Sequence, residues 1–215
     1  MAIQLLDPEQ RIKVDSQNDE IFYSVPRYVH HLDEGFRSHL TKLYKDEIDP
    51  YSNILDLMSS WVSHLPKDIS YNQVIGHGLN LEELSSNNRL DRYWTQNLNV
   101  NRTLPLDSNS IDTILIVAGW QYLQYPEDIS EELFRIGKKN AKIIVSFSNR
   151  MFPTKATKIW FDGGDHDHLQ YVKSVLVAQG WEEPRLIAEK TKRRGILFYR
   201  GRYGDPFFSV ISTKK

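Results

Sequence analysis

Residues 53–66 read NILDLMSSWVSHLP. Asn53 to Leu57 is a short apolar run carrying one carboxylate, Asp56, and it has the length of a buried parallel strand. In nucleotide-binding sheets such a strand leads into a glycine-rich turn, where bare backbone approaches the ligand. Here Met58, Ser59, Ser60, Trp61 and Val62 follow instead. The stretch predicts the strand and leaves the turn as the open question.

Similar runs recur outward from it. Residues 72–76, 93–97, 112–118 (DTILIVA) and 141–147 (AKIIVSF) predict four more strands. Between the last two, Pro126, Glu127 and Asp128 favour a helix start, Ile129, Leu133 and Ile136 form an apolar stripe, and Gly137 with Lys138 and Lys139 closes it. A second helix is expected from Asp165 to Gln179, buried through Leu169, Val172, Val175 and Leu176, with Gly180 suited to a left-handed stop. PRLIAEK and DPFFSVIST predict an antiparallel pair at one sheet edge. Strand and helix signals in alternation imply an α/β fold, a doubly wound, mostly parallel sheet. Residues 1–50 are expected as an N-terminal helical cap over the carboxyl edge of the strands, and residues 51–215 as the α/β domain.

Bulk properties narrow the function. The chain has 215 residues, room for one large domain, and a formal net charge of -1, so no global field selects a polyanion or an anionic membrane. It has no cysteine, which excludes thiolate chemistry and fits an intracellular, cytoplasmic setting. The first twenty residues do not read as a signal peptide, and no apolar run has the length of a membrane span. GxSxG, GxxxxGK[ST] and HExxH patterns are missing, so hydrolase, P-loop and zincin readings lack support.

With the strand ends placed, the pattern resembles the class I S-adenosylmethionine-dependent methyltransferase family, well over residues 51–147 and loosely beyond. ILDLMSSWVSHLP stands where that family carries hydrophobic-LDLG-x-G-x-G, VIGHGLNLEEL resembles its second strand end, and LP-x-DSNSIDTIL its approach to the fourth strand. SSWVSHLP, GHGLN and SFSNRMFPTKA together are similar to a divergent subgroup of methyltransferase-like proteins. The resemblance implies a seven-stranded sheet whose last strand is antiparallel, bound S-adenosylmethionine, and methyl transfer to an acceptor that the fold does not specify. It also shows departures. Met58, Ser60 and Val62 replace the three motif glycines, Gly78 replaces the acid that grips the ribose, and Asn97 replaces the acid near the adenine amino group. Asp56 alone keeps its family type. The implied cofactor site is Asp56, Ser59, Ser60, Trp61, Gly78, Asn80, Asn97 and Leu98, with serine hydroxyls expected to stand in for glycine amides. Asn80 and Glu83 also form a helix-capping pattern.

Other candidates lie outside that motif. Tyr23, Arg27 and His31 are spaced to share one face if their segment is helical, and His31 is the candidate base with Tyr23 beside it. Arg27, Tyr122, Arg150 and Lys155 are expected around a small-molecule acceptor, the cations suiting an anionic one. FDGGDHDHLQ has metal-like composition, but its aspartates suit a helix start, so no metal is expected. The basic, aromatic stretch 189–205 reads as a surface hairpin before it reads as a nucleic-acid contact. Two alternatives remain: a methyltransferase-fold module that senses a ligand or binds a partner without turnover, and, more distantly, a nicotinamide dehydrogenase.

Overall fold

A computed structural model of the chain describes residues 1–191 and 204–215. Seven strands form one sheet: β1 (Asn53–Leu57), β2 (Gln73–Gly78), β3 (Arg92–Thr95), β4 (Ile111–Val117), β5 (Gly137–Phe147), β6 (Arg185–Glu189) and β7 (Phe207–Thr213). Their spatial order is β3-β2-β1-β4-β5-β7-β6. Strands β1 to β5 pair in parallel, and β7 runs antiparallel to both of its neighbours. The mostly parallel seven-stranded sheet expected from the sequence is the one observed, with β4 at its middle. The helices are α1 (Asp19–Phe22), α2 (Glu34–Glu47), α3 (Leu81–Ser85), α4 (Pro126–Ile136), α5 (Lys158–Asp162) and α6 (Asp165–Ala178). None of them is long and apolar enough to cross a membrane. Most of the basic stretch, residues 192–203, lies outside the described residues.

Side-chain alternation along β1 sets the two layers. Leu55 and Leu57 join Ile114 and Ile116 of β4 and the apolar stripes of α4 and α6 on one face. Ile54, Val74, Leu115 and Ile144 meet Phe36, Leu40 and Tyr44 of α2 on the other. Gly180 takes the expected left-handed stop after α6, at φ 94°.

The expected cap divides into three parts. Residues 1–18 form a strap, where the Leu5 and Leu6 amides both donate to Glu127 Oε1 at 3.0 and 2.9 Å and Arg11 pairs with the same carboxylate at 2.8 Å. Helix α2 is a wall of the sheet, with Phe36, Leu40 and Tyr44 all buried. Burying three such side chains contributes roughly 5–9 kcal/mol, comparable with the whole net stability of a domain, about 5–15 kcal/mol. Helix α2 is therefore no detachable lid. Residues between 19 and 32, together with Arg37 and Tyr44 of α2, reach the strand ends.

The chain steps outward from β1 to β3, then returns to place β4 on the other side of β1. The crevice above the carboxyl ends of β1 and β4 is the topological switch point, where open α/β sheets bind ligands.

Candidate functional site

A cavity of about 590 Å³ occupies that crevice. Its floor is the turn after β1 and the ends of β2 and β4, its walls are residues 96–99, 118–123 and 149–153, and residues 19–37 cover part of it.

The turn after β1 is built on a histidine. Met58 takes the left-handed conformation, φ 59°, that a glycine would take more readily. Its amide donates to His77 Nδ1 at 3.2 Å, and the Ser59 amide donates to the His77 carbonyl at 2.6 Å. His77 Nε2 faces the Gln96 carbonyl at 2.9 Å, so the bonds assign the proton to Nε2. Burial pushes the His77 pKa down to about 4, and the ring is neutral at pH 7. One imidazole thus ties the ends of β1, β2 and β3. Gly78 has a structural reason as well, because a Cβ there would stand 2.6 Å from the Ser59 carbonyl oxygen.

The serine hydroxyls turn toward carboxylates of the chain itself, contrary to the expected role toward a ligand. Ser59 and Ser63 both donate to Asp56 Oδ2, at 2.7 and 2.5 Å. Burial raises the Asp56 pKa to about 6, with the two serine bonds opposing it. Ser60 donates to Glu83 Oε2 at 2.5 Å, and Glu83 Oε1 accepts the Arg27 amide at 2.7 Å. Glu83 thereby clamps turn to cover, where the capping pattern would have sent it back to the Asn80 amide. Asn80 caps α3 through Oδ1 as expected, and its Nδ2 donates to the Tyr23 and Ser24 carbonyls at 2.9 and 3.2 Å. Asn97 is likewise committed, donating to Asn18 Oδ1 at 2.9 Å and accepting from the Asn99 amide at 3.0 Å. Leu98 and Leu79 supply apolar wall.

Residues 23–33 are not helical, because Pro26 interrupts the segment after α1. The spacing of Tyr23, Arg27 and His31 therefore sets no common helix face, yet all three line the cavity. Tyr23 packs edge-on against Phe22 at 4.9 Å, and burial raises its pKa. His31 meets Phe152 edge-on at 5.3 Å, and burial, then Arg27, lowers its pKa. Trp61 forms a wall, with its indole nitrogen donating to the Val29 carbonyl at 3.3 Å and its ring 4.7 Å from His30. The Tyr122 hydroxyl accepts the Phe152 amide at 2.9 Å. Arg150 lines the cavity, but Lys155 does not. The Lys155 side chain is fully buried beside the strap, pairing with Asp15 at 3.0 Å and Asp19 at 3.4 Å and donating to the Gln17 carbonyl at 2.9 Å. That placement corrects its expected role toward an acceptor.

One acceptor at the cavity is unspent, Gln121 Oε1, buried without a hydrogen-bond partner, whereas Asp19 Oδ1 has no hydrogen bond but stands 3.4 Å from the Lys155 ammonium. Sequence reasoning missed them, as it missed His77, Ser63 and Arg37. In the aspartate–histidine segment three side chains make local contacts. Asp162 pairs with Lys158, Asp167 accepts the Gly164 amide at 2.9 Å, and His168 stacks on Trp160 at 4.0 Å. Among the described residues no three His, Cys, Asp or Glu side chains gather as a metal site.

No family model and no curated protein matches the sequence. Solved structures do match. A SAM-dependent methyltransferase of Thermotoga maritima superposes with a TM-score of 0.58 at 18% identity, covering 83% of this chain and 89% of that one. The chain has the class I methyltransferase fold. A chain from the complex of the Haloferax volcanii Trm112 methyltransferase activator with a methyltransferase gives a TM-score of 0.62 at 10% identity, with 83% and 89% covered. The [4+2]-cyclase SpnF gives 0.59 at 14% identity, with 88% of each chain covered. At these identities the likeness concerns the fold, and one neighbour is named for a reaction other than methyl transfer.

Proposed function

We propose that the protein is an S-adenosylmethionine-dependent methyltransferase acting on a small-molecule acceptor. The observation that carries this reading is the partly open cavity at the switch point of a methyltransferase sheet, with Asp56 at the end of β1 and the buried Gln121 Oε1 left unspent. Its volume, about 590 Å³, lies within the roughly 300–1,000 Å³ of sites that enclose molecules of this size. An ammonium group needs acceptors, and Asp56 and Gln121 Oε1 provide them. An adenine ring needs apolar walls, and Leu79 and Leu98 provide them. Ribose contacts fall to the backbone at Gly78 and Leu79, since Asn80 and Asn97 are committed to the cover. The fit thus rests on shape, backbone and the acceptors of Asp56 and Gln121, and the serine hydroxyls act one step back, holding Asp56 and Glu83.

When bound, the cofactor supplies an electrophilic methyl group on a sulfonium. The chain's part is alignment and exclusion of water, which carry most of the acceleration in such a displacement. Trp61, Tyr23 and Phe152 form the water-excluding wall. A base is needed only for an acceptor that must lose a proton. His31, held below its ordinary pKa, is neutral at pH 7 and can take that proton on a ring nitrogen. Tyr23, its pKa raised, keeps its hydroxyl proton and serves as a donor.

The test is incubation of the full chain with methyl-labelled S-adenosylmethionine and a small-metabolite extract. Protein-dependent formation of S-adenosylhomocysteine and labelled product is expected. Tight S-adenosylhomocysteine binding with no label transferred in any extract would favour the non-catalytic, ligand-sensing reading.

A further inference from the structure

The cations that face the cavity are not the set expected from the sequence. Lys155 is buried elsewhere, and Arg27 is partly consumed, its Nη2 donating to the Phe22 carbonyl at 2.8 Å with the guanidinium 4.7 Å over the Phe22 ring. Two arginines lining the cavity, Arg37 of α2 and Arg150 after β5, have no bond at their terminal nitrogens among the described residues.

These two belong to one end of the cavity. Arg37 Nε donates to the Asp33 carbonyl at 3.3 Å, the Asp33 amide donates to Asp205 Oδ2 at 2.8 Å, and Arg150 Nε donates to Asp205 Oδ1 at 2.6 Å. The Asp205 amide closes the loop on Asp33 Oδ2 at 2.8 Å, and Asp33 Oδ1 caps α2 at the Phe36 amide. Each arginine is anchored through Nε, which leaves its Nη1–Nη2 edge open among the described residues. That edge is the fork matching two oxygens of a carboxylate or phosphate.

Among the described residues, charge at this end is only partly compensated. Asp205 answers Arg150, whereas Arg37 has no carboxylate partner among the described residues. The neighbouring histidines register it. Burial first, and then the Arg37 charge, hold His64 down at about 4 and keep His30 below its ordinary value. Both rings line the same cavity, 6.3 Å apart, and neither adds a compensating negative charge. Beside them the wall is aromatic, Trp61 against His30 and Phe152 stacked with Tyr122 at 6.1 Å. A cationic fork at one end of an apolar slot selects an apolar molecule with an oxyanion at its end.

We infer that the methyl acceptor carries a carboxylate or phosphate group on an apolar body, and that Arg37 and Arg150 bind that group. The inference rests on the proposed function, and its test separates the two. Benzoate, phenyl phosphate and benzamidine share an aromatic body and differ in charge. Each is titrated calorimetrically into the full chain, with and without saturating S-adenosylhomocysteine. At least one anion should bind at millimolar concentration or below, the tighter one identifying the oxyanion, and benzamidine should not. Arg37→Gln should weaken the anion about tenfold or more, because it removes a charge-assisted fork. Arg37→Lys should fall between the two, since charge stays and the fork goes. Arg37→Gln leaves the Asp33–Asp205 pair and the α2 cap in place, so S-adenosylhomocysteine affinity and thermal midpoint should not move. Benzamidine binding as well as the anions, no anion binding, or anion affinity unmoved in Arg37→Gln and Arg150→Gln would each overturn the inference. Loss of S-adenosylhomocysteine binding with anion binding intact would instead strike the methyltransferase reading and leave the arginine site standing.

Discussion

Lys155→Met separates a structural lysine from a ligand-binding one. The side chain is fully buried, and its ammonium stands 3.4 Å from Asp19 and 2.9 Å from the Gln17 carbonyl. Methionine matches its length and apolar stem, so the substitution removes charge and hydrogen bonds with little change in packing. Removing one partner of a buried ion pair costs roughly 3–5 kcal/mol. Asp19 keeps Lys13 at 2.7 Å and Asn99 at 2.9 Å, so it is not left bare, and the cost falls at the lower end. About 3 kcal/mol corresponds to a fall of about 6–12 °C in thermal midpoint for a chain of this size. Calorimetric or circular-dichroism melting measures it, and S-adenosylhomocysteine affinity measured below the transition should stay within twofold. An unchanged midpoint with weakened ligand binding would place Lys155 in the cavity and refute the ion-cluster reasoning.

Two further predictions concern the turn. Met58→Gly should be more stable than Met58→Ala by about 1 kcal/mol in urea titration, because both lose the side chain and only glycine tolerates the left-handed backbone; the reverse order would contradict that conformation. Acid titration tests the buried groups around it. Asp56, near 6 when folded against 3.8, favours folding fully below 3.8 and loses that contribution as pH rises through 6. His64 and His77, near 4 when folded against 6.5, favour folding fully above 6.5 and lose that contribution as pH falls through 4. Two histidines outweigh one carboxylate, so stability should fall from pH 6.5 to 4, and more steeply in Asp56→Asn; an unchanged slope in that variant would mean Asp56 titrates normally.

The sheet was legible because its strands are apolar runs ended by turn residues. β1 falls at Asn53–Leu57 as read, and β2 and β4 differ by two residues or fewer at their ends. β5 begins at Gly137, four residues before the apolar run, because polar Lys138, Lys139 and Asn140 extend the strand beyond anything its composition signals. Residues 23–33 misled in the other direction, where helical spacing was outweighed by Pro26. At the site, Asp56, the two serines, Asn80 and Asn97 all stand at the expected strand ends, but their partners come from distant sequence. Ser60 reaches Glu83, Asn80 reaches Tyr23, and Asn97 reaches Asn18. Only the assembled sheet shows those hydroxyls and amides to be spent. Arg37 gave no signal, one residue from the buried Phe36 on an otherwise ordinary amphipathic helix. His77 gave a partial one, since a histidine between two glycines marks a crowded strand end without naming the amide it accepts.

The most direct measurement is isothermal titration of S-adenosylhomocysteine into the full chain. A rebuilt turn that retains the cofactor cavity should give one saturable site, weakened at least tenfold by Leu98→Arg, which fills the apolar wall. No heat of binding up to millimolar ligand, in a sample whose melting shows it folded, would contradict the assignment of this cavity to an adenosyl cofactor.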